Sequence, residues 1–191
     1  IAPTDWPYLG SIVKLLKQLP VVIMHAHLPK VLLTLCNFLS SHLQSSRDSA
    51  RATLVTISKM LGAKYLSYII KGLTTALTRG YQLHVLGYTL HSIIVENASC
   101  YAPGSIDSCV EPIVKICMQD IFGETGKERE VQELKGKMRE IKSTKSFETF
   151  EHLCKVISFH QIKVVLKPIK EQMLETNDIK VVKHIENVFR R

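Results

Sequence analysis

Apolar side chains recur every three or four residues along almost the whole chain. Ala50, Leu54, Ile57 and Leu61 form one such stripe, and Arg51 lies off it. This spacing predicts an amphipathic helix whose apolar stripe faces a core. The same pattern predicts further helices, with their apolar positions within residues 28–39, 66–77, 83–94, 110–121, 131–141, 147–157, 162–173 and 179–189. Strand-like alternation is confined to short ambiguous runs such as residues 20–24.

Glycine, proline and acidic residues mark the expected helix ends. Gly62 and Gly80 each follow a predicted helix, at the position where glycine often terminates one. Asp48 lies where a carboxylate favours a helix N-terminus. Pro29 predicts either a helix start or a kink. We expect a clear loop at residues 97–105 and a weaker break at residues 123–127.

The predicted helices recur in pairs, as they do in repeat proteins. Triplets at helical spacing that begin at residues 50, 87, 134 and 181 align at steps of 37 and then 47 residues. A period of this length, with two helices per unit, indicates the HEAT/armadillo class. The run from Arg47 to Gly62 resembles the second helix of a HEAT unit. We therefore predict an all-α solenoid of antiparallel helix pairs in one segment, residues 1–191, with pairs at about residues 8–44, 28–62, 65–97, 106–143 and 146–191.

Composition supports a helical core. Of the 191 residues 46% are hydrophobic, which is enough for a buried core, and the 9 glycines and 7 prolines are few for a sandwich or barrel. The 5 cysteines are odd in number and include no CxxC pair, so we expect reduced thiols in the cytosol or nucleus. No run resembles a signal peptide or a membrane span, and no membrane partner is expected.

The net charge of +8 favours an anionic partner, of which nucleic acid is the commonest. Lys163, Lys167 and Lys170 lie three or four residues apart, opposite an apolar stripe, and form a predicted positive ridge. Further candidates for phosphate contact are Lys180, Lys183, Arg190 and Arg191. The alternative is that these cations form a solvated helix face. Within the basic stretches, residues 127–145 and 155–191, no aromatic interleaving suggests base stacking, so we do not expect sequence-specific reading of RNA.

The motifs of common catalytic and metal sites are missing from the sequence. His25 and His27, and likewise His84 and His91, lack a cysteine or carboxylate at ligand spacing. No GxSxG, kinase signature or glycine-rich phosphate loop occurs, and residues 123–127 have the wrong glycine spacing for one. We expect no enzymatic activity, no metal or other cofactor, and no small-molecule substrate.

One run of residues resembles a known family. The sequence from Arg79 to Thr89, which includes Gly80, Tyr81, Gln82 and His84, is similar to the DRIM ("down-regulated in metastasis") family, as are parts of the run from Arg47 to Gly62. The similarity extends over nearly the whole chain. The family comprises very large HEAT-repeat components of the small-subunit processome, which implies that this chain is an internal piece of a longer polypeptide.

The resemblance also implies a function for the parent protein. It predicts a nucleolar, hence nuclear, scaffold in ribosome biogenesis that is associated with the U3 snoRNP and needed for 18S rRNA processing. Processome proteins are the implied partners, with pre-rRNA or U3 snoRNA as candidates for direct RNA binding. The alternative function is a HEAT-repeat adaptor in transport or regulation that binds no RNA.

Overall fold

The computed structural model describes residues 6–123, 138–142, 144–175, 177 and 179–190. These residues form nine α-helices joined by turns and short 3-10 segments, and none of them lies in a strand. The helices, numbered in chain order, are Trp6–Leu16 (α1), Val21–Phe38 (α2), Gln44–Leu61 (α3), Leu66–Ala76 (α4), Tyr81–Glu96 (α5), Val110–Phe122 (α6), Ser146–Val156 (α7), Ile162–Glu175 (α8) and Ile179–Phe189 (α9).

The described helices pack in chain order. Each principal helix–helix contact joins neighbours in the chain or helices that are next but one. In one layer α2 packs on α4, and α6 on α8; in the other, α1 packs on α3, α3 on α5, α5 on α7, and α7 on α9. This arrangement is expected where helical hairpins bury their apolar faces only against adjacent hairpins. The predicted all-α solenoid is confirmed, whereas its exact division into repeats stays a prediction.

A single apolar core runs through both layers. Leu28, Leu32 and Leu35 of α2 are fully buried, as are Ile69 and Leu73 of α4. Each such side chain contributes roughly 1.5–3 kcal/mol through removal from water. The core extends from Val13 of α1 to Ile185 of α9. The array is therefore held together mainly by aliphatic side chains at the helical spacing of the sequence.

A glycine sets the close approach of α2 and α4. A Cβ atom at Gly72 would lie 3.2 Å from the Sγ atom of Cys36 and 3.8 Å from Leu32. Further along the same seam the Ser40 hydroxyl donates to the Ala76 carbonyl at 3.4 Å. Burial raises the pKa of the Cys36 thiol to about 12, so this cysteine stays protonated as part of the core.

Helix α2 is also long and apolar enough to cross a bilayer, judged by its length and hydropathy. Buried aliphatic residues of a core helix produce the same pattern. In the structure its buried side packs against α1, α3 and α4. Packing in the array therefore accounts for the buried apolar positions of α2, such as Leu28, Leu32 and Leu35, whereas Val21 and Val22 are exposed.

Several predicted helix ends differ from those observed. Helix α2 starts at Val21, so residues 21–24 are helical and Pro29 lies inside the helix. Helix α3 starts at Gln44, so the prediction that Asp48 marks a helix start was wrong. The carboxylate of Asp48 instead accepts hydrogen bonds from Gln44 and Arg51. Side-chain pairing within the helix, rather than capping, explains this aspartate.

The glycine after α4 also has a different role from the predicted one. Helix α4 ends at Ala76, and Gly80 immediately precedes α5. The predicted helix over residues 131–141 lies partly outside the described residues, at 131–137. Its described end, residues 138–141, forms turns rather than helix, so that part of the prediction was wrong. The contacts of Glu140 described below hold these turns in place.

Candidate nucleic-acid interface

The predicted lysine ridge (Lys163, Lys167 and Lys170) lies on the solvent side of α8. All three residues are exposed, whereas Val165 and Ile169 on the opposite side of the helix are buried. The spacing of three and four residues aligns the lysines along one helix face. The structure thus brings together the three cations that the sequence grouped.

The other predicted phosphate contacts are only partly described. Lys183 of α9 and Arg190, which directly follows α9, are exposed. The side chain of Lys180, and the whole of Arg191, lie outside the described part of the chain. Two of the cations have acidic neighbours one turn away: Lys167 lies 3.9 Å from Glu171, and Arg190 lies 3.7 Å from Glu186. Exposed pairs of this kind are weak and are screened by salt.

Apolar side chains interrupt the lysine ridge. Leu166, Met173 and Phe189 line a groove beside the lysines, between α8 and α9. Phe189 is 59% exposed and Met173 is 57% exposed. Lysine stems can cover such apolar surface while the ammonium groups stay in water. The ridge is therefore amphipathic rather than uniformly charged.

The family-like motif forms the corner between α4 and α5. Gly80 has φ of +54°, a conformation that side chains disfavour. The Tyr81 hydroxyl donates to the Ser40 carbonyl at 2.5 Å. The Gln82 side chain accepts from the Thr78 amide at 3.3 Å. His84 is fully buried, Tyr81 and Gln82 are half-buried, and Arg79 and Gly80 are exposed. These contacts give the motif a structural role.

A buried ion cluster joins α3 to the turns at residues 138–142. Arg47 donates to the Glu140 carboxylate from Nε at 2.9 Å and from Nη2 at 3.1 Å. Arg51 donates to it from Nη2 at 2.7 Å, and Gln44 from Nε2 at 3.2 Å. Burial by itself raises the pKa of Glu140, but the hydrogen bonds from both arginines outweigh it and lower the pKa to about 2. We call Arg47, Arg51 and Glu140 the Glu140 cluster.

The two arginines of this cluster have further partners. Arg47 donates from Nη1 to the Ser41 carbonyl at 2.9 Å. The Arg51 guanidinium lies 4.6 Å from the centroid of the Tyr88 ring, and that of Arg139 lies 5.6 Å from the same ring. Arg47 and Arg51 are both buried. Their charges therefore stabilise the fold and are not presented to a phosphate.

The excess of positive over negative charge is concentrated in the first half of the chain. Residues 6–95 contain nine Lys/Arg residues and one carboxylate, that of Asp48, so they carry the whole net charge of +8. Apart from Arg47 and Arg51, all these cations are exposed. The near absence of acidic residues over this stretch is visible in the sequence, although its cations are scattered rather than gathered in lysine-rich runs.

Three aromatic rings meet on the surface between α2 and α4. The His25 ring lies 5.7 Å from the Tyr65 ring and 5.8 Å from the Tyr68 ring, centroid to centroid. The two tyrosine rings are themselves 5.8 Å apart. The Lys64 ammonium lies 5.5 Å from the Tyr65 centroid. All three aromatic side chains are half-buried, so each keeps part of its surface in solvent. We call them the aromatic patch.

Some of the histidines and cysteines take part in packing, among them His91 and Cys36. His91 connects α5 to α7, with Nδ1 at 3.3 Å from the Thr149 hydroxyl and Nε2 at 3.4 Å from the Glu148 carboxylate. Burial lowers the pKa of His91, although Glu148 opposes the shift. Across the residues that the structure describes, no three His, Cys, Asp or Glu side chains are grouped as metal ligands. The cysteines there are free thiols, exposed at Cys100 and Cys154.

Comparison with known proteins identifies the family. The family model for the U3 small nucleolar RNA-associated protein 20 domain matches residues 6–191. The chain belongs to this family. It is 40% identical over 181 residues to U3 small nucleolar RNA-associated protein 20 of Schizosaccharomyces pombe, which covers 95% of the chain. It is 36% identical over 164 residues to the protein of that name in Saccharomyces cerevisiae, which covers 86% of the chain.

The family relatives are much longer than this chain. The matched regions span only 7% of the length of either yeast protein. The similarity nevertheless includes most of the array, from α1 to α9. The shared family therefore applies to the whole helical array described above.

Proposed function

We propose that this chain is a non-catalytic scaffold segment of the small-subunit processome, and that it supports 18S pre-rRNA processing in the nucleolus. The observation that carries the proposal is the family match over residues 6–191, to a family whose name records an association with U3 small nucleolar RNA. The proposed partners are processome proteins together with pre-rRNA or U3 snoRNA.

The proposed mechanism is geometric. Helices that pack only on their neighbours form an extended array, and an extended array offers more outer surface than a globule of equal length. Many weak contacts along such a surface hold large partners in register, since linked contacts reinforce one another. Aliphatic residues of the core fix the array, and the exposed cations are available for partners.

The lysine ridge is one proposed RNA contact. Its ammonium groups are exposed and evenly spaced on α8, as contacts to a phosphate backbone require. Neutralising phosphates releases counterions, so this binding would weaken steeply as salt increases. The exposed cations Lys183 of α9 and Arg190, just after α9, are further proposed phosphate contacts.

A scaffold without catalysis also agrees with the chemistry of the described side chains. Glu140 is held ionised by two arginines, and burial raises the pKa of Cys109 as well as that of Cys36. These groups are committed to packing and pairing. The alternative function, a transport or regulatory adaptor without RNA, would use the same array to bind proteins alone.

The two functions are separated by what the full-length protein recovers from cells. We expect U3 snoRNA and pre-rRNA to be recovered with the tagged full-length protein after crosslinking. Changing Lys163, Lys167 and Lys170 together to Glu should reduce that recovery, whereas changing them to Arg should preserve it because the charge is kept. Lys155→Glu, at an exposed lysine on α7 that pairs with Glu151, is the control for one reversed charge.

The outcome that contradicts the proposal is equally clear. Recovery of transport or regulatory proteins without either RNA would favour the adaptor. If RNA is recovered but the three-lysine variant behaves as the native protein does, the scaffold stands and the ridge is excluded as an RNA contact.

A further inference from the structure

The aromatic patch lies on the most basic part of the molecule. Neither α2 nor α4 contains an acidic residue, and Lys64 and Lys71 are exposed. Tyr68 and Lys71 lie three residues apart on α4 and so share a helix face, whereas Lys64 belongs to the 3-10 turn before α4, where its ammonium group lies over the Tyr65 ring. The patch therefore combines partly exposed aromatic rings with positive charge and no opposing carboxylate on its own helices.

The contacts inside the patch hold its rings in place. The His25 ring meets the Tyr65 ring nearly edge-on, at an interplanar angle of 73°, and His25 Nε2 lies 3.4 Å from the Tyr65 hydroxyl. The backbone beneath is fixed by the close packing of Gly72 against α2. Rings supported in this way lose little conformational freedom when a flat ligand stacks on them.

We infer that the aromatic patch, with Lys64 and Lys71, is a binding site for single-stranded RNA. Unpaired bases would stack on the exposed surface of Tyr68 and its neighbouring rings, while the two lysines contact adjacent phosphates. Aromatic platforms beside positive charge are the usual means of binding single strands. The inference deepens the proposed function, since it rests on the protein meeting RNA and names the form of RNA at one surface.

A single strand fits this surface better than a duplex does. Bases in an A-form duplex are stacked on each other, so their faces are not offered to a protein ring. A duplex would be bound by the lysines alone and would gain nothing from the tyrosines. A protein partner would need acidic groups to match Lys64 and Lys71, and that occupant is treated as an outcome of the test.

The experiment compares two Tyr68 variants of the full-length protein. Tyr68→Phe keeps the ring, whereas Tyr68→Leu removes it but still fills part of the space. The probes are an unstructured oligouridine and a duplex RNA of the same length. We expect Tyr68→Leu to weaken oligouridine binding about tenfold, the usual effect of losing one stacked base. Binding of the duplex, and binding of either RNA by Tyr68→Phe, should match the native protein.

A second pair of variants tests the charges. Lys64→Glu with Lys71→Glu should weaken binding of both RNAs and lower the salt dependence of affinity. Changing both lysines to Gln should have the same effect to a smaller extent. Equal hydrogen-exchange protection of α2 and α4 in all variants shows that the seam between these helices is intact, because their amides would lose protection if it opened.

Three results would overturn the inference. Tyr68→Leu could bind oligouridine as the native protein does, or it could lose both RNAs equally. Alternatively, the charge reversals could abolish binding of a partner protein and leave both RNA affinities unchanged, which would make the patch a protein surface. A patch that binds oligouridine in a protein that recovers no U3 snoRNA or pre-rRNA from cells would sustain the inference and refute the proposed function.

Discussion

At the scale of single residues, the Glu140 cluster is the most specific interaction in the described chain. Its carboxylate is fully buried and is paired with two arginines whose positions in the sequence are 93 and 89 residues away. A buried charge is tolerated only when its partners satisfy it. The cluster therefore fixes where residues 138–142 lie against α3.

Removing this charge should destabilise α3 and the adjoining helices. Glu140→Gln leaves two buried arginines without a countercharge, so we expect a loss of about 3 kcal/mol in local stability. Hydrogen exchange of α3 amides in the full-length protein measures this loss. The matched control is Glu151→Gln, which breaks a more exposed pair with Lys155 and should cost less than about 1 kcal/mol. Equal protection in both variants would contradict the prediction.

The same carboxylate makes the stability depend on pH. Its pKa is about 2 in the folded chain and 4.5 for an ordinary glutamate, so the folded state favours the ionised form. The stabilisation is complete above about pH 5 and is lost as the pH falls from there toward 2. Protection of α3, corrected for intrinsic exchange rates, should fall over that range in the native protein. The Glu140→Gln variant should lack this component of the decrease, and an identical decrease would refute the assignment.

At the scale of helices, the corner between α4 and α5 is fixed by side-chain contacts to the turn between α2 and α3. The Tyr81 hydroxyl donates to the Ser40 carbonyl in this turn, and the His42 ring lies 5.2 Å from the Tyr81 ring. The positive φ of Gly80 allows the chain to enter α5 at this point. The family-like motif is thus explained by the geometry of one corner.

Deleting the hydroxyl tests this corner directly. Tyr81→Phe keeps the ring and loses the hydrogen bond to Ser40, so we expect a cost of about 1 kcal/mol in the local stability of α5. Tyr8→Phe is the control, since Tyr8 is 66% exposed and should be neutral. Hydrogen exchange at the start of α5 reports the difference. Unchanged exchange in Tyr81→Phe would show that the bond contributes nothing.

Helical periodicity predicted most of the elements but not all their ends. The stripe from Ala50 to Leu61 lies within α3. The predicted stripes at residues 147–157, 162–173 and 179–189 correspond to α7, α8 and α9. Ends were misplaced where tertiary contacts decide them. Pro29 is accommodated inside α2, and Gly80 serves the start of α5 rather than the end of α4. Local pattern contains no information on such contacts.

One candidate site could be predicted from the sequence and the others could not. The lysine ridge was predictable because its three cations lie on one helix, within eight residues of the sequence. The aromatic patch was not, because His25 and Tyr65 are 40 residues apart and meet only when α2 packs on α4. The pairing of Glu140 with Arg47 could not be predicted for the same reason. Contacts between distant residues require the packed array.

At the scale of the whole molecule, exposed apolar side chains are concentrated toward both ends of the described array. Val22 of α2 is 81% exposed, and Leu174 of α8 is 75% exposed. The middle helices α3 to α6 have no large apolar residue of comparable exposure among their described positions. Layers in the interior of a solenoid are covered on both sides, whereas its outermost layers are not. The distribution of apolar surface therefore follows from the layered packing.

The two proposed RNA surfaces lie on different parts of this array. The aromatic patch is on α2 and α4, and the lysine ridge is on α8. An RNA strand that touched both would gain from linked contacts, provided that it spans the intervening layers. We propose that these outer surfaces of the helical array hold RNA within the processome.

The most direct test is to crosslink the tagged full-length protein to RNA in cells with ultraviolet light and to identify the crosslinked peptides by mass spectrometry. We predict crosslinked peptides that contain Tyr65 or Tyr68, from α4 and the turn before it, and peptides from α8, each joined to U3 snoRNA or pre-rRNA. Crosslinks confined to regions outside residues 6–190, in a protein that does recover these RNAs, would contradict the account.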